Sequence, residues 1–335
     1  MTPIITQGAD PALWKIAHNL SPAPVDAIEL AGSGANSDVF RLKCAETDFA
    51  LKRYPVGPDD QRDRLGVELR TLTFLTQNGV NGVPAPIASS PETGFILMEW
   101  IEGTPVGTHE PSDLQQALHF MTRVVALSSL PDAQYFPLAS EACLSGRAIT
   151  AQIDRRLDGF GKHPALDKFL HDVFAPLYRD AADIARAGAW AEELAPDRRR
   201  LIPADFGFHN TLKKADGQLC YFDFDYFGWD DPVKLAADFV LHPAMSLTKE
   251  ESEVVCNSLV AAVPDDLSFS ERLNALRPLY ALRWSLILLK PFQSQFLDRI
   301  TDDRQTQQSL LSAQLVKATH MTKRAADDMN NLHLQ

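Results

Sequence analysis

Residues 203–232 read PADFGFHNTLKKADGQLCYFDFDYFGWDDP. Asp205 and Asn210 stand five positions apart in a loop-like run. Asp223 follows on an apolar segment, 219–224, which reads as a buried strand opened by the turn Ala215-Asp216-Gly217. Phosphoryl transfer from a nucleotide needs one carboxylate to orient and deprotonate the attacking hydroxyl. It also needs a carboxylate and an amide oxygen to hold magnesium against the phosphates. Asp205, Asp223 and Asn210 supply those groups in that order, Asp205 as base and Asp223 with Asn210 as metal ligands. The spacing by itself fits two turns and a strand with no chemistry equally well.

Length and composition limit what this stretch belongs to. With 335 residues and 45% hydrophobic content the chain can bury a sizeable core, as one large domain or two lobes. Segment 279–289, the nearest approach to a membrane span, is short and interrupted by Arg283, and the first residues lack the pattern of a secretion signal. The sequence therefore predicts no membrane. Cys44, Cys143, Cys220 and Cys256 are scattered without metal-ligand spacing, which reads as buried free thiols in a reducing cytoplasm. A formal net charge of −12, with no basic stripe to offset it, argues against nucleic acid as a partner. Oligomeric state is not legible.

Upstream, a short helix over 10–20 and a Pro-broken connector lead to an apolar segment ending at Leu30. The turn Ala31-Gly32-Ser33-Gly34-Ala35-Asn36-Ser37 follows, then two strands over 39–43 and 49–52. Small residues at Gly32, Ser33 and Gly34 let backbone N–H groups approach a phosphate closely. Lys52 ends the third strand, and 59–78 has helical period with an apolar stripe of Leu65, Leu69, Leu72 and Leu75. Glu68 lies beside that stripe, within reach of Lys52 on the sheet, and the pair would hold the ammonium toward nucleotide phosphates. A further strand is expected over 95–100. The breaker Glu102-Gly103-Thr104-Pro105 then marks a boundary between domains 1–102 and 103–335. Backbone groups of Glu99 and Ile101 on that connector are candidates for reading an adenine. Beyond it the chain is mostly helical, with periods over 114–130, 149–157, 166–186, 235–240, 250–263 and 273–296.

Taken together, the glycine turn, Lys52 with Glu68, the connector FILMEWIEG and the Asp205/Asn210/Asp223 set resemble the aminoglycoside phosphotransferase and choline/ethanolamine kinase superfamily, over residues 28–240. The resemblance implies an α+β, protein-kinase-like bilobal fold. Its small nucleotide-binding N-lobe has an antiparallel sheet and one helix, and its larger C-lobe is mainly helical. It also implies ATP and Mg²⁺ as cofactors and a small-molecule hydroxyl acceptor, such as an amino alcohol, sugar or amino sugar. The pair Asp223 and Asp225 looks closer to the choline kinase version of the motif.

The catalytic loop departs from that family: Pro203 and Ala204 precede Asp205, and Gly207 and His209 stand inside the loop. A small-molecule kinase and a nucleotide-binding pseudokinase or scaffold without turnover are accordingly both compatible with the sequence. Asp225, Tyr226 and Trp229 are candidates for the acceptor side, Asp225 for its charge and the aromatics as a wall. Asp230 and Asp231 either add charge there, or cap the helix that begins near Pro232 or face solvent.

Overall fold

The computed structural model describes residues 10–34, 37–56, 62–187, 190–293, 296 and 303–333. Ala35 and Asn36 of the glycine turn, residues 59–61 at the expected start of the first long helix, and residues 294–295 lie outside them. In chain order the elements begin α1 (Pro11–Leu20), β1 (Val25–Ser33), β2 (Asp38–Cys44), β3 (Phe49–Arg53), α2 (Arg64–Gln77), β4 (Pro86–Ser90), β5 (Phe95–Glu99), β6 (Thr104–Pro105) and α3 (Pro111–Ala126). They continue α4 (Gly146–Asp158), α5 (Pro164–Phe169), α6 (Ala175–Arg186), β7 (Arg200–Ile202), β8 (Thr211–Lys213), β9 (Leu219–Tyr221), β10 (Gly228–Asp230), α7 (Pro232–Leu241), α8 (Lys249–Ala262), α9 (Phe269–Leu288) and α10 (Arg304–His333). The chain forms two compact units, Met1–Phe136 with Pro203–Gly228, and Pro137–Ile202 with Trp229–Gln335.

The first unit is built on an antiparallel sheet of order β1-β2-β3-β5-β4. Strand β3 is central and nearly continuous in its apolar character, with Phe49, Ala50 and Leu51 all buried, as a strand covered on both faces must be. Its register sets Lys52 opposite Val39 on β2 and Ile96 on β5. One face packs against α1, whose Leu13 and Ala17 join Val25, Ile28, Leu42, Leu51 and Leu97 in one core. That contact gives α1 a role the sequence did not disclose. Helix α2 buries Leu65, Leu72 and Leu75 and starts at Arg64, where the Asp63 side chain accepts the Gly66 N–H at 3.0 Å and caps the first turn. A second small sheet, β6-β8-β9, completes the unit. The strand expected over 219–224 stops at Tyr221, because Asp223 takes a φ of +70°, which no strand ladder accommodates.

The second unit is helical. Helix α9 is buried on every side, through Leu273, Leu276, Leu279, Leu282 and Leu286 among others, and α4, α6, α7 and α10 pack on it. It ends at Leu288 rather than running to 296, since Pro291 cannot donate to a continuing helix and the chain closes with a short 3₁₀ turn, Lys290–Phe292. The single helix expected over 166–186 is interrupted likewise: Leu170–Phe174 widens to a π turn immediately before Pro176, which removes one helical donor. Helix α10 was not read from the sequence. Its buried residues, Leu311, Ala318, Met321, Thr322, Ala325 and Met329, form a narrow seam with little apolar contrast.

Candidate active site

Lys52 projects from the central strand into the interior of the first unit, 4% exposed. Its Nζ lies 2.9 Å from Glu68 Oε1 and 2.6 Å from Asp223 Oδ1. Burial alone pulls an ammonium down, but the charges of Glu68 and Asp223 outweigh it, and Lys52 ends above the usual lysine range. Glu68 is itself fully satisfied. Its Oε1 also accepts the Phe224 N–H at 3.3 Å, and its Oε2 accepts the Tyr54 hydroxyl at 2.5 Å. Burial, with Glu68, Asp225 and Asp223 nearby, pushes the Tyr54 phenol far up, so it stays a donor. Tyr54 carries a signal that sequence reading passed over: two residues beyond Lys52 on one extended segment, it points to the same side.

Arg64 is the other residue missed. It sits one helical turn before Glu68 on the inner side of α2, only 5% exposed, and its guanidinium grips the Asp225 carboxylate. Its position four residues before Glu68 was the available signal. Burial, with the charge of Asp223, pushes the Asp225 carboxyl up to about 7 against the opposing pull of Lys52 and Arg64. Asp225 is 3% exposed, which corrects the expectation that its charge faces an acceptor: the carboxylate is consumed by Arg64 inside the protein. Tyr226 is half-buried beneath Arg62 and Arg64, whose guanidinium carbons lie 5.0 and 5.5 Å from its ring centre. Phe227, the next aromatic along, is 1% exposed and packs on Phe136 as core.

The loop from Asp205 to Asn210 is held by its own main chain. Asn210 Nδ2 donates to the Asp205 carbonyl at 3.0 Å, and the Asn210 carbonyl accepts the Phe222 N–H at 3.1 Å, tying this loop to the residue before Asp223. His209 Nε2 is 3.5 Å from Asp205 Oδ1. Both Asp205 (φ +59°) and Asp223 (φ +70°) adopt the left-handed conformation, in which aspartate and asparagine are the best tolerated residues after glycine. Such strain is often found where a side chain must be aimed.

Lys52, Glu68 and Asp223 lie on the wall of a cleft of about 400 Å³, also lined by Gly32, Ser33, Gly34, Glu99 and Ile101. The structure thus brings the glycine turn, the lysine and the connector to one hollow. A Cβ at Gly32 would meet nothing within 4 Å, so the cleft is open there. Two donors of the turn are already engaged: the Gly34 N–H with the Ser37 carbonyl at 2.8 Å, and the Ser33 hydroxyl with Asp38 at 2.7 Å. The Glu99 N–H is likewise paired, with the Ala85 carbonyl at 2.9 Å.

The remaining candidates belong to the second unit. Trp229 is half-buried and exchanges main-chain hydrogen bonds with Pro137 and Ala139. Asp231 caps α7 through the Val233 N–H and forms a buried pair with Arg272 at 2.7 Å. Asp230 is fully buried, its Oδ1 accepting the Cys143 and Asp231 N–H groups, both at 2.8 Å. Asp231 thus takes the capping role, while Asp230 neither caps α7 nor faces solvent and is held in the interior by main-chain N–H groups.

The profile of the phosphotransferase enzyme family matches residues 27–262. Among solved structures, the chain is similar to the spectinomycin phosphotransferase APH(9)-Ia, in complex with ADP and spectinomycin, at 11% identity and TM-score 0.65, covering 94% of this chain and 98% of that one. It is similar also to a choline/ethanolamine kinase family protein from Mesorhizobium loti (17% identity, TM-score 0.58, 94% and 98% covered). A third is the choline kinase LicA from Streptococcus pneumoniae (15% identity, TM-score 0.59, 93% and 98% covered). Among curated protein sequences nothing matches. The first unit's antiparallel sheet and the mainly helical remainder are the α+β kinase-like fold of these structures, and the chain belongs to the phosphotransferase enzyme family.

Proposed function

We infer that the protein transfers the terminal phosphoryl group of ATP, with Mg²⁺, to a hydroxyl of a small metabolite. The observation that carries this reading is the buried Lys52, fixed between Glu68 and Asp223 at the wall of a cleft that the glycine turn and the connector also line. Residues 1–102 supply the nucleotide side and the rest of the chain the catalytic loop and the acceptor side. Lys52 offers its ammonium to the phosphates, and the 99–101 connector borders the place for the base.

The oxygens of Asp223 and Asn210 fit magnesium, a hard cation that prefers carboxylate and carbonyl ligands. Asn210 commits its amide nitrogen to Asp205, which leaves its amide oxygen as the ligand atom. When bound there, the ion neutralises charge on the phosphates. Asp205 orients the acceptor hydroxyl and takes its proton as the oxygen attacks the γ-phosphorus and the bond to the ADP oxygen breaks.

Amino alcohols, amino sugars and neutral sugars are the acceptor classes that the resemblance to choline kinases and aminoglycoside phosphotransferases supports. A panel of such hydroxyl compounds, assayed for ADP release with and without Mg²⁺, tests the reading. Turnover confined to one class with an absolute Mg²⁺ requirement is expected. Nucleotide binding without turnover on any acceptor would leave the scaffold as the better description.

A further inference from the structure

A second hollow, of about 580 Å³, opens elsewhere in the first unit, between α3, the turn 79–82 and strand β9. Its size is that of a metabolite site. Buried residues form its floor: Val80, Phe120, Leu219 and Tyr221, the rings of Phe120 and Tyr221 lying 4.5 Å apart. The Tyr221 hydroxyl is buried with no hydrogen-bond partner among the described residues.

The walls differ from the rest of this protein in one respect. In a chain of formal charge −12, none of the described residues lining the hollow is an aspartate or glutamate. Ser112, Gln115, His119 and Arg123 instead follow one another at helical spacing along the exposed face of α3. The acids nearest in sequence, Glu110 and Asp113 at the start of α3, are turned to Lys213, at 2.8 and 3.0 Å, and do not line the hollow. Asp216, on the other flank, is exposed and accepts the Gln218 N–H at 2.9 Å. Among the described residues Arg123 has no carboxylate partner; one arm of its fork reaches the Asn78 carbonyl at 3.3 Å. An arginine carries five N–H donors, so most of that fork remains to be used.

We propose that this hollow binds a small organic anion, its carboxylate or phosphate held by Arg123 and its body resting on the Phe120 and Tyr221 floor. The inference is independent of the reaction at Lys52. A consequence for that reaction follows from the strand: Tyr221 donates its N–H to the Gly82 carbonyl at 2.7 Å, and Asp223 lies two residues further on. An occupant therefore rests on the segment that leads directly to Asp223.

Isothermal titration of the full chain with phenyl phosphate, benzoate and benzylamine tests this. At least one of the two anions should bind and the cation should not; which anion binds tells phosphate from carboxylate. Arg123→Gln should weaken that binding by roughly tenfold or more, the usual scale for hydrogen bonds to a charged group. Gln115→Glu, a change at an exposed helix position that leaves packing intact, should do the same by placing a like charge in the hollow. Affinity for ADP should stay unchanged in both. Absence of heat with both anions would overturn the proposal, as would anion binding that both variants retain in full.

Discussion

Glu68 and Lys52 meet at 2.9 Å where both side chains are almost completely shielded from water, and the same Glu68 oxygen receives the Phe224 N–H. One carboxylate therefore joins α2, the central strand and the segment that carries Asp223. Lys52→Ala removes the cation itself and should lower ATP-dependent turnover by roughly 10³-fold. Glu68→Ala leaves Lys52 with Asp223 as partner, so turnover should fall less, by about 10- to 100-fold. The cost to stability should run the other way, about 3 kcal/mol for Glu68→Ala, because the Tyr54 hydroxyl and the Phe224 N–H are orphaned too. Steady-state kinetics and denaturant melts on the two variants check both orderings; a larger kinetic loss at Glu68 contradicts the first.

The left-handed backbone at Asp205 and Asp223 dictates how the acidic pair should be tested. Alanine strains that conformation, whereas asparagine tolerates it, so the asparagine variants isolate the charge from the fold. Asp205→Asn should lower kcat by roughly 10²- to 10⁴-fold with nucleotide affinity nearly unchanged. Asp223→Asn should weaken nucleotide binding only when Mg²⁺ is present. Equal loss of nucleotide binding with and without the metal would remove Asp223 from the metal site.

Much of this arrangement was legible before any coordinates. Lys52, Glu68 and Asp223 stand in recognisable local contexts, a strand end, a helix face and a strand exit, and short-range periodicity suffices to place each. Arg64 and Tyr54 escaped because their importance arises only when the fold brings Arg64 to Asp225, more than a hundred positions away, and Tyr54 to Glu68 on α2. The fate of Asp225 could not be read either: an acid beside a metal-ligand candidate looks the same in sequence whether it faces solvent or a buried guanidinium. Helix α10 was missed for a different reason, since a seam of Ala, Thr and Met gives almost no amphipathic contrast.

The Arg64 and Asp225 pair makes a prediction opposite in kind to one about acceptor specificity. Both side chains are buried, so removing one leaves the other without its partner in a medium that solvates charge poorly. Arg64→Ala should destabilise the protein by about 3 kcal/mol. The double variant Arg64→Met with Asp225→Leu should recover most of that loss. Asp225→Asn should leave the KM for acceptor unchanged at equal folded fraction. A selective rise in acceptor KM would mean that Asp225 reaches the acceptor after all.

In the second unit a half-buried and a fully buried aspartate should push the pH dependence of stability in opposite directions. Asp238 accepts from Trp284 Nε1 at 2.9 Å, lies 3.2 Å from Lys234 Nζ and is gripped by Arg283. Burial alone would raise its carboxyl, but Arg283 and Lys234 overcome that and hold it down at about 2. Its contribution is thus complete above the ordinary aspartate range near 4 and is lost as pH falls toward 2. Asp230 is the reverse case. Burial drives it up to about 6, against Lys234 and two main-chain donors, so the folded state holds a proton that the unfolded chain has released. Stability from that proton is present below pH 4 and drains away as pH rises through 6. Thermal melts from pH 2 to 8 should therefore show Asp230→Asn with a shallower decline than the parent between pH 4 and 6. Asp238→Asn should lie below the parent at neutral pH and converge toward it in acid. Parallel melting curves for the parent and both variants across the whole range would contradict both assignments.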